Sequence, residues 1–293
     1  MPELPEVETI ARGLASRVTG DVIESVWLGS KPEPLKSAAS EIVAALESKR
    51  IAGVRRVGKH IVFDLEDGGR ASSPVKSKSR QRSAKLAGGG ARPTQAAAQW
   101  IVHLGMTGRM LVCKPDQVIE KHTHAVARLA SGRELRFVDP RRFGRLSVAQ
   151  GFDAAGSEPL EVELDPFIGL FRGRKTPIKS ALLNQKLLRG VGNIYADESL
   201  FRAGIRPRRR AASLTRKELP RLYAAIQEVL KEAIALGGSS VSDYVDADGE
   251  EGFFQLRHRV YGREGEPCLV CKAAIKRVVI AGRSSHYCPS CQK

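Results

Sequence analysis

The chain begins Met1-Pro2-Glu3, and Pro2 is the residue with the most unusual chemical potential at this position. If the initiator methionine is removed, Pro2 presents a free secondary amine. The pKa of an α-amino group is about 8, against about 10.4 for a lysine side chain, so a useful fraction of such an amine is neutral near neutral pH. Schiff-base chemistry needs this neutral form. Glu3 is a candidate general acid and base beside it.

The same segment has a structural interpretation as the start of an α-helix. Pro5 suits the first turn of a helix, and Glu6 and Glu8 suit its positively polarised amino end. Apolar side chains then recur at helical spacing, at Val7, Ile10, Leu14 and Val18. A helix is therefore predicted here whether or not the amine is reactive.

Four of the five cysteines form two Cys-x-x-Cys pairs near the C-terminus. Cys268 and Cys271 are separated from Cys288 and Cys291 by 16 residues, a spacing typical of zinc sites built from two such pairs. Four thiolates close the tetrahedral shell of the metal, so we predict one structural Zn²⁺. A pair of redox dithiols is the alternative, but no βαβ pattern accompanies it. The remaining Cys113 is predicted to be a core residue.

The composition indicates a globular and strongly basic chain. Its 293 residues suggest one large or two ordinary domains, and its net charge of +16 makes a polyanion the first partner to consider. No apolar run approaches the roughly 20 residues of a membrane span, and no apolar signal segment follows the start. We therefore expect a cytoplasmic protein that does not enter a membrane.

The first half of the chain alternates short apolar runs with turn residues, which is typical of strands. Strands are predicted at residues 22–28, at 51–65 as a pair joined near Gly58, at 100–112 as a pair with a bend at Met106, and at 125–129 and 135–138; residues 40–46 suggest a short helix. Lys59 lies at the first joint, where it either points to a ligand or is a solvated turn lysine. One helix followed by many strands predicts an N-terminal β-sandwich domain at residues 1–150.

Residues 68–99 interrupt this pattern. Positions 70–99 contain seven Lys or Arg residues and no acid, with many Ser, Ala and Gly residues. We interpret the segment as a flexible basic insertion. Weak contact with phosphates and simple tolerance of a surface loop both remain open as its role.

The second half is predicted to be helical and cationic. Residues 151–165 are acidic and suit an interdomain linker, whereas residues 172–217 carry 13 Lys or Arg residues and two acids. Helices are predicted at 178–182 and 194–203 around the turn at 190–193, with a free amino end at Asn193. Such an arrangement is either a phosphate clamp or an ordinary αα-hairpin.

A third helix and a hairpin complete the chain. Thr215 and Glu218 form a capping-box pattern before an amphipathic stretch that ends near residue 237, although Pro220 makes the start uncertain. Residues 239–252 suit a mobile loop. A hairpin at 275–280 and 283–287 places Arg283 at its tip, where it either serves a reaction or contacts phosphate.

These motifs together resemble the bacterial formamidopyrimidine-DNA glycosylases, the 8-oxoguanine repair enzymes. The motifs are MPELPEVE at 1–8, Gly58-Lys59, HLGMTG at 103–108, DPRRFG at 139–144, GVGNIYA at 190–196 and the four-cysteine finger. The resemblance implies an α+β fold: an N-terminal β-sandwich with an N-terminal helix, then a helix–two-turn–helix domain at 166–257 with a zinc finger at 258–293. It departs at 68–99, where the family has a tight turn.

The resemblance also implies roles for individual residues. Pro2 is similar to the nucleophile that attacks C1′ of the damaged nucleotide, and Glu3 to the proton donor in base release and ring opening. Lys59 is similar to the amine used in β-elimination, and Arg283 to the residue used in δ-elimination. The implied reaction is removal of oxidised purines from duplex DNA, followed by cleavage at the abasic site.

Further residues match DNA contacts of the family. They are His122, Arg141, Lys175, Lys179 and Asn193. Met106, Arg141 and Phe143 resemble the trio that fills the space left by a flipped nucleotide, although core packing is the alternative for Met106 and Phe143. We expect a monomer that acts on double-stranded DNA in the bacterial cytoplasm and associates with the nucleoid when bound.

Two other functions compete with this hypothesis. The endonuclease VIII branch prefers oxidised pyrimidines, although Leu4, Val7 and the pair Arg141 and Phe143 favour the purine branch. A non-catalytic zinc-finger DNA-binding protein would use only the basic C-terminal half. An excision assay with oxidised purines and oxidised pyrimidines distinguishes the two glycosylase branches. Borohydride trapping on an abasic site distinguishes an enzyme from a non-catalytic DNA-binding protein.

Overall fold

The computed structural model describes residues 1–68, 98–240, 244–247 and 249–293. The predicted insertion at 68–99 therefore lies outside the described residues, except for Gly68 and the beginning of a strand at Ala98. Within the described ranges the elements follow in this order: α1 (Leu4–Val18), β1 (Ile23–Leu28), α2 (Ala39–Leu46), β2 (Lys49–Val57), β3 (His60–Asp67), β4 (Ala98–His103), β5 (Arg109–Cys113), β6 (Thr123–Leu129), β7 (Glu134–Val138), β8 (Arg145–Ala149), α3 (Leu164–Gly169), α4 (Ile178–Leu183), α5 (Asn193–Arg202), α6 (Glu218–Ala235), β9 (Lys276–Ile280) and β10 (Arg283–Tyr287).

Two four-stranded antiparallel sheets form the N-terminal half, as predicted. Their strand orders are β1-β6-β7-β5 and β2-β3-β4-β8. The apolar faces of the sheets share one core with α1, because its residues Val7, Ile10 and Leu14 are buried in the same cluster as Phe63 and Trp100. The rings of Phe63 and Trp100 stack at 5.0 Å within it. The helix that begins beside Pro2 is therefore anchored in the sandwich.

Two elements were not predicted from the sequence, β8 and α3. Strand β8 completes a sheet by pairing with β4, and its short pattern Arg-Leu-Ser-Val-Ala has only two strongly apolar residues to mark it. Helix α3 begins at Leu164, at the end of the predicted linker. Its Phe167 is buried in a second core with α4, α5 and α6.

The capping box predicted before α6 is present. The Thr215 hydroxyl accepts a hydrogen bond from the Glu218 N–H at 3.2 Å, and the Glu218 carboxylate accepts one from the Thr215 N–H at 2.8 Å. Pro220 fits because the first four N–H groups of a helix have no partner within the helix. The sequence pattern therefore located this helix correctly despite the proline.

A two-stranded hairpin of β9 and β10 forms the end of the chain. Its turn residues Ala281 and Gly282 have φ values of 47° and 74°. Positive φ at both central positions is the type I′ geometry that matches the twist of a tight hairpin. The turn therefore places Arg283 at the first position of β10.

The two halves of the molecule are joined by more than the linker. Leu4 of α1 is part of the helical core, whereas Tyr244 and Ala247 are part of the sandwich core. In the predicted linker at 151–165, Glu158 is buried and accepts two hydrogen bonds of 2.9 Å from Arg56 of β2. The predicted domain boundaries at 150, 165 and 257 remain predictions, but this segment is firmly attached. No helix among the described residues is long and apolar enough to cross a membrane.

Candidate active site and nucleic-acid interface

A cavity of about 570 Å³ collects side chains from both halves of the chain. The four predicted catalytic residues, Pro2, Glu3, Lys59 and Arg283, all line it, although they come from three distant segments of the sequence. Two predicted DNA-contact residues line it as well: Met106 and Asn193. The fold therefore brings the predicted amine, acid and cations to one place.

Pro2 is buried at this cavity, directly before α1. Its nitrogen belongs to the Met1–Pro2 peptide bond, and Met1 lines the same cavity. Removal of Met1 converts this amide nitrogen into a secondary amine at the cavity wall. The position of Pro2 thus suits the chemistry predicted for it.

The Glu3 carboxylate is buried and lies at the amino end of α5. Its oxygens accept hydrogen bonds from the backbone N–H groups of Ile194 at 3.2 Å and Tyr195 at 3.5 Å. This end of a helix carries a partial positive charge and unpaired N–H donors, which hold a carboxylate well. Gly192 is required for the approach, because a Cβ atom there would lie 2.2 Å from the Glu3 carboxyl carbon.

Glu6 is a second buried acid that lines the cavity. From the sequence it was predicted only to belong to the start of the helix. Its carboxylate accepts hydrogen bonds from the Glu3 N–H at 2.7 Å, the Ser239 N–H at 2.8 Å and the Tyr195 hydroxyl. Burial and the nearby charge of Glu3 raise the pKa of Glu6 to about 7, although the bonds from Tyr195 and Ser239 oppose the rise. The sequence does contain a signal for this pair, because Glu3 and Glu6 are two acids one helical turn apart.

Lys59 occupies the turn between β2 and β3, as predicted. Gly58 before it has a φ of 59°, and the Gly58 carbonyl accepts a hydrogen bond of 3.1 Å from the Arg56 guanidinium. Burial lowers the pKa of Lys59, and the positive charge of Arg283 lowers it further. The negative charges of Glu3 and Glu6 oppose this decrease. A lowered pKa increases the neutral fraction of the amine, which suits proton transfer.

Arg283 is exposed at the tip of the β9–β10 hairpin and lines the cavity. Its guanidinium is close enough to Lys59 to influence the pKa of that amine. The finger therefore contributes a cation to a cavity whose amine and acids come from the N-terminal half.

Three side chains project from two adjacent loops, one of which carries the cavity residue Met106. Met106 is 42% exposed, Phe143 is 51% exposed, and Arg141 is also exposed, with its guanidinium 4.9 Å from the centre of the Phe143 ring. Core packing, the alternative for Met106 and Phe143, is therefore wrong. Exposed apolar side chains beside a cation suit insertion into a base stack.

Asp139, fully buried between the two loops, fixes them to each other. Its carboxylate accepts hydrogen bonds from the Thr107 hydroxyl at 2.6 Å and from the backbone N–H groups of Gly144 at 2.7 Å and Arg141 at 3.2 Å. From the sequence, Asp139 was recognised only as part of the DPRRFG motif at 139–144. Its bond to Thr107 joins two positions that are 32 residues apart in the sequence, so a local pattern could not reveal it.

The other predicted DNA contacts divide into exposed and buried groups. His122 and Lys175 are exposed, so a phosphate can reach them. Asn193 is half-buried at the start of α5, and its amide donates a weak hydrogen bond of 3.4 Å to the Ser284 hydroxyl. These three positions are compatible with the predicted contacts.

The structure contradicts the prediction that Lys179 is a phosphate ligand. Its side chain is 0% exposed, and its ammonium lies 2.5 Å from the Asp197 carboxylate and donates to the Asn193 carbonyl at 3.0 Å. A phosphate cannot reach it in this arrangement. The physical reason is that α4 is only six residues long, so its apolar residues did not reveal which side faces the core.

The four predicted zinc ligands converge at the other end of the finger. The Sγ atoms of Cys268, Cys271, Cys288 and Cys291 all lie within 4.8 Å of one another. Four thiol ligands at this separation suit a tetrahedral Zn²⁺ and leave no open position for a substrate. The residues therefore fit the predicted structural metal. Cys113 is buried in β5, as predicted.

The described part of the predicted loop at 239–252 closes one side of the cavity. Ser239 and Tyr244 line it, and the Tyr244 hydroxyl donates to the Gly237 carbonyl at 3.0 Å. Residues 241–243 and 248 lie outside the described residues, so the predicted mobility of this loop remains a prediction.

Three family models match the chain from end to end. They are the Formamidopyrimidine-DNA glycosylase N-terminal domain at residues 1–146, the Formamidopyrimidine-DNA glycosylase H2TH domain at 155–245, and the zinc finger found in FPG and IleRS at 265–293. Together with the sandwich, the helical unit and the four-cysteine cluster, they define a two-part DNA repair glycosylase fold. The chain belongs to the formamidopyrimidine-DNA glycosylase family.

Individual relatives agree with this assignment over the full length. The formamidopyrimidine-DNA glycosylase of Solibacter usitatus is 43% identical over 298 residues, covering 100% of both chains. The MutM (Fpg) crystal structure from Thermus thermophilus is 40% identical, covers 99% of this chain and 98% of that one, and has a TM-score of 0.80. The Lactococcus lactis Fpg in complex with abasic-site DNA is 31% identical, covers 99% of both chains, and has a TM-score of 0.83.

Proposed function

We propose that this chain removes oxidised purines, 8-oxoguanine and formamidopyrimidines, from duplex DNA through a Schiff base on Pro2. The observation that carries the proposal is that Pro2, Glu3, Lys59 and Arg283 share one cavity. The family and its lesion-bound neighbours support the same activity, since Lactococcus lactis Fpg has been crystallised with DNA containing an abasic site and with DNA containing Fapy-dG. The chain is thus a glycosylase with abasic-site lyase activity.

The first half of the reaction takes place at C1′ of the damaged nucleotide. The nitrogen lone pair of Pro2 forms a bond to C1′ while the bond from C1′ to the base breaks, and the base leaves with the bonding electrons and takes a proton from Glu3. The proton on the Pro2 nitrogen then passes to Glu3, which frees the nitrogen lone pair for ring opening. Opening of the sugar ring breaks the C1′–O4′ bond, protonates O4′ and leaves an iminium ion on C1′. Glu3 supplies protons in these steps, because its carboxyl lies beside Pro2 and is held by the amino end of α5.

The second half of the reaction cleaves the strand. The neutral Lys59 amine takes a proton from C2′ of the iminium, and the 3′ phosphate leaves. In the second elimination a proton passes from C4′ to water, the C5′–O5′ bond breaks, and the 5′ phosphate leaves with the bonding electrons while Arg283 stabilises its negative charge. Water then hydrolyses the iminium and releases Pro2. The cation of Arg283 and the lowered pKa of Lys59 suit these roles, since one needs a permanent charge and the other a neutral amine.

The DNA must be distorted before this chemistry begins. C1′ attack requires the damaged nucleotide to leave the stack, which costs a few kcal/mol. Met106, Arg141 and Phe143 fill the space that it leaves, with Arg141 facing the orphaned cytosine. His122, Lys175 and Asn193 contact the backbone phosphates, and the net charge of +16 supports this binding.

The zinc ion has a structural role in this scheme. The four cysteine thiolates hold it with a closed ligand shell, and its chemistry when bound is to fix the fold of the finger that carries Arg283. We also propose that the protein acts as a monomer in the cytoplasm, where it associates with the nucleoid through its DNA substrate.

Oxidised pyrimidines are a second candidate substrate class. A neighbouring Lactococcus lactis Fpg structure contains DNA with an oxidised pyrimidine, and it is 31% identical to this chain with a TM-score of 0.82. Parallel excision assays on 8-oxoguanine:C and thymine glycol:A duplexes rank the two classes. Faster excision from the second duplex would reverse our ranking.

Borohydride trapping tests the proposed nucleophile. Intact mass first establishes whether Met1 is removed, and the purified protein is then mixed with an 8-oxoguanine:C duplex and borohydride. We expect a covalent complex, and we expect Pro2→Gly to form it far more slowly, because the secondary amine is lost. Wild-type trapping by Pro2→Gly, or full activity with Met1 retained, would refute the assignment. A non-catalytic DNA-binding protein would give no trapped complex at all.

A further inference from the structure

A fully buried ion pair behind the cavity joins α4 to α5. The ammonium of Lys179 and the carboxylate of Asp197 are both 0% exposed and 2.5 Å apart. Lys179 also donates to the Asn193 carbonyl at the start of α5. Charges without solvent must be paired and hydrogen-bonded, so this pair has a fixed geometry. The steps proposed above do not use either residue.

Asp197 also holds the finger hairpin. Its Oδ1 accepts a hydrogen bond of 2.7 Å from the Ser285 hydroxyl, and its Oδ2 accepts one of 2.8 Å from the backbone N–H of His286. Ser285 and His286 belong to β10, the strand that begins with Arg283. Ser285 is two residues from Arg283, and alternate residues of a strand lie on the same face. A single buried carboxylate thus connects the helices of the cavity wall to the strand that presents Arg283.

The neighbouring acid Glu198 serves a different segment. Its carboxylate accepts hydrogen bonds from the backbone N–H groups of Arg259, Val260 and Tyr261, at 2.9 to 3.1 Å. Those residues precede the zinc ligands and are not part of the hairpin. Two consecutive acids of α5 therefore divide the attachment of the finger between its entry segment and its hairpin.

We propose that Asp197 is a positioning residue that sets Arg283 over the cavity through β10, and that Lys179 fixes the carboxylate for this purpose. The proposal rests on the proposed role of Arg283 in δ-elimination. Loss of the Asp197 bonds frees β10 to shift relative to α5. Such a shift weakens the step that needs Arg283, while the reactions of Pro2 and Glu3 continue, because the hydrogen bonds of Asp197 go to Lys179 and β10.

The test uses the zinc-loaded full-length protein and a duplex with one abasic site. The variants are Asp197→Asn, Ser285→Ala and the neutral pair Lys179→Gln with Asp197→Asn, which leaves no buried charge unpaired. Ser284→Ala is the matched control, since it removes a hydroxyl of the same hairpin whose partner is Asn193, through a weak bond of 3.4 Å, and not Asp197. The readouts are the ratio of δ- to β-elimination product, the rate of borohydride trapping, and zinc per chain.

We expect the ratio of δ- to β-product to fall about tenfold or more in Asp197→Asn, because a displacement of about 1 Å in a reacting group can cost about 100-fold in rate. Ser285→Ala and the neutral pair should change the ratio in the same direction by less, and Ser284→Ala by least. Trapping should stay within about threefold of the parent, since Asp197 hydrogen-bonds Lys179 and β10 rather than Pro2 or Glu3, and zinc should remain at one ion per chain.

Two outcomes would overturn the proposal. One is an unchanged product ratio in folded, zinc-loaded Asp197→Asn and Ser285→Ala. The other is a ratio that falls only together with zinc content or trapping, which means that Asp197 supports the whole fold. Arg283→Ala distinguishes failure of the proposed role of Arg283 from failure of the positioning role of Asp197. If Arg283→Ala leaves the ratio of δ- to β-product unchanged, the proposed role of Arg283 is itself wrong. If Arg283→Ala lowers the ratio and the Asp197 variants do not, only the positioning role fails.

Discussion

The two sides of the cavity differ in how their functional side chains are held. On the acid wall, formed by Glu3, Glu6 and Lys59, the side chains are buried and the carboxylates are bound by N–H and O–H donors. On the wedge loops at 104–108 and 139–144, Met106 and Phe143 are exposed, and only the loop backbones are fixed. The groups proposed to transfer protons are thus preorganised, whereas the side chains proposed to enter DNA are exposed on loops with a fixed backbone.

This difference has a physical reason. Proton transfer depends on distance and on pKa, and burial with fixed hydrogen bonds controls both. Insertion into a base stack depends on an apolar surface that is solvated before binding, and its side chains gain their contacts only from DNA. Substitutions on the acid wall should therefore affect chemistry and stability, and substitutions on the wedge loops should affect DNA engagement.

The largest effect on the acid wall is expected from Gly192→Ala. The added Cβ would lie 2.2 to 2.6 Å from the Glu3 carboxyl atoms and would displace the carboxylate from the amino end of α5. We expect excision of 8-oxoguanine to slow by about 100-fold, because reacting groups tolerate about 1 Å of displacement poorly. Single-turnover kinetics measure this. Gly169→Ala is the control, since a Cβ there meets nothing within 4 Å, and equal rates for both variants would contradict the argument.

A pH effect on stability should follow from Glu6. The folded protein binds the Glu6 proton with a pKa of about 7, against 4.5 for the free side chain, so the folded state holds more protons between these values. Its contribution to stability is therefore present below pH 4.5 and is lost as the pH rises to 7, by roughly 3 kcal/mol. Urea unfolding at several pH values should show a flatter profile for Glu6→Gln.

The exposed Glu24 provides the comparison for that experiment. Glu24→Gln makes the same carboxyl-to-amide change at the surface and leaves the buried Glu6 in place, so it should keep the pH profile of the parent. Parallel profiles for Glu6→Gln and the parent would show that Glu6 does not carry the proton.

The acid wall and the wedge loops also differ in how far the sequence predicted them. Pro2, Glu3 and the four cysteines were selected from residue type and spacing, and Lys59 from the resemblance to the family. Pro2, Glu3 and Lys59 line one cavity together with Arg283, and the cysteines converge as a cluster, whereas the catalytic roles remain predictions. The strands were found by their apolar pattern, except β8. What local pattern could not reveal were partners far along the chain, such as Tyr195 and Ser239 for Glu6, which are 189 and 233 residues away.

Lys179 shows the limit of the same approach. The resemblance to the family implied that Lys179 contacts phosphate, and it lies in a strongly basic segment. Its actual partner, Asp197, is one of only two acids in residues 172–217, and both are buried. Composition counts charges but does not say which of them the fold removes from solvent. The unpaired cations at the surface are therefore the better candidates for DNA contact.

A moderate effect on the wedge loops is expected from Phe143→Ala. Loss of the ring removes an apolar wedge and the support of Arg141, so flipping a base out of a paired duplex becomes more costly. We expect excision from an 8-oxoguanine:C duplex to slow about tenfold, equivalent to about 1.4 kcal/mol, with a smaller change in cleavage of a preformed abasic site. Trp27→Ala, at an aromatic residue that is 53% exposed outside the cavity, should leave both rates unchanged. Equal losses on both substrates would place Phe143 in the chemistry instead.

The smallest effect should come from Lys175→Ala, and it sharpens the distinction between exposed and buried cations. Each phosphate that a protein neutralises contributes about 0.9 to the slope of log affinity against log salt. We expect Lys175→Ala to weaken binding a few-fold at moderate salt and to reduce that slope by about 1. The neutral pair Lys179→Gln with Asp197→Asn should leave the slope unchanged, because Lys179 is 0% exposed. Exposed Lys231 of α6, replaced by alanine, is the control for net charge alone. Fluorescence anisotropy from low to moderate salt measures all three slopes, and a lower slope for the neutral pair would return Lys179 to the DNA interface.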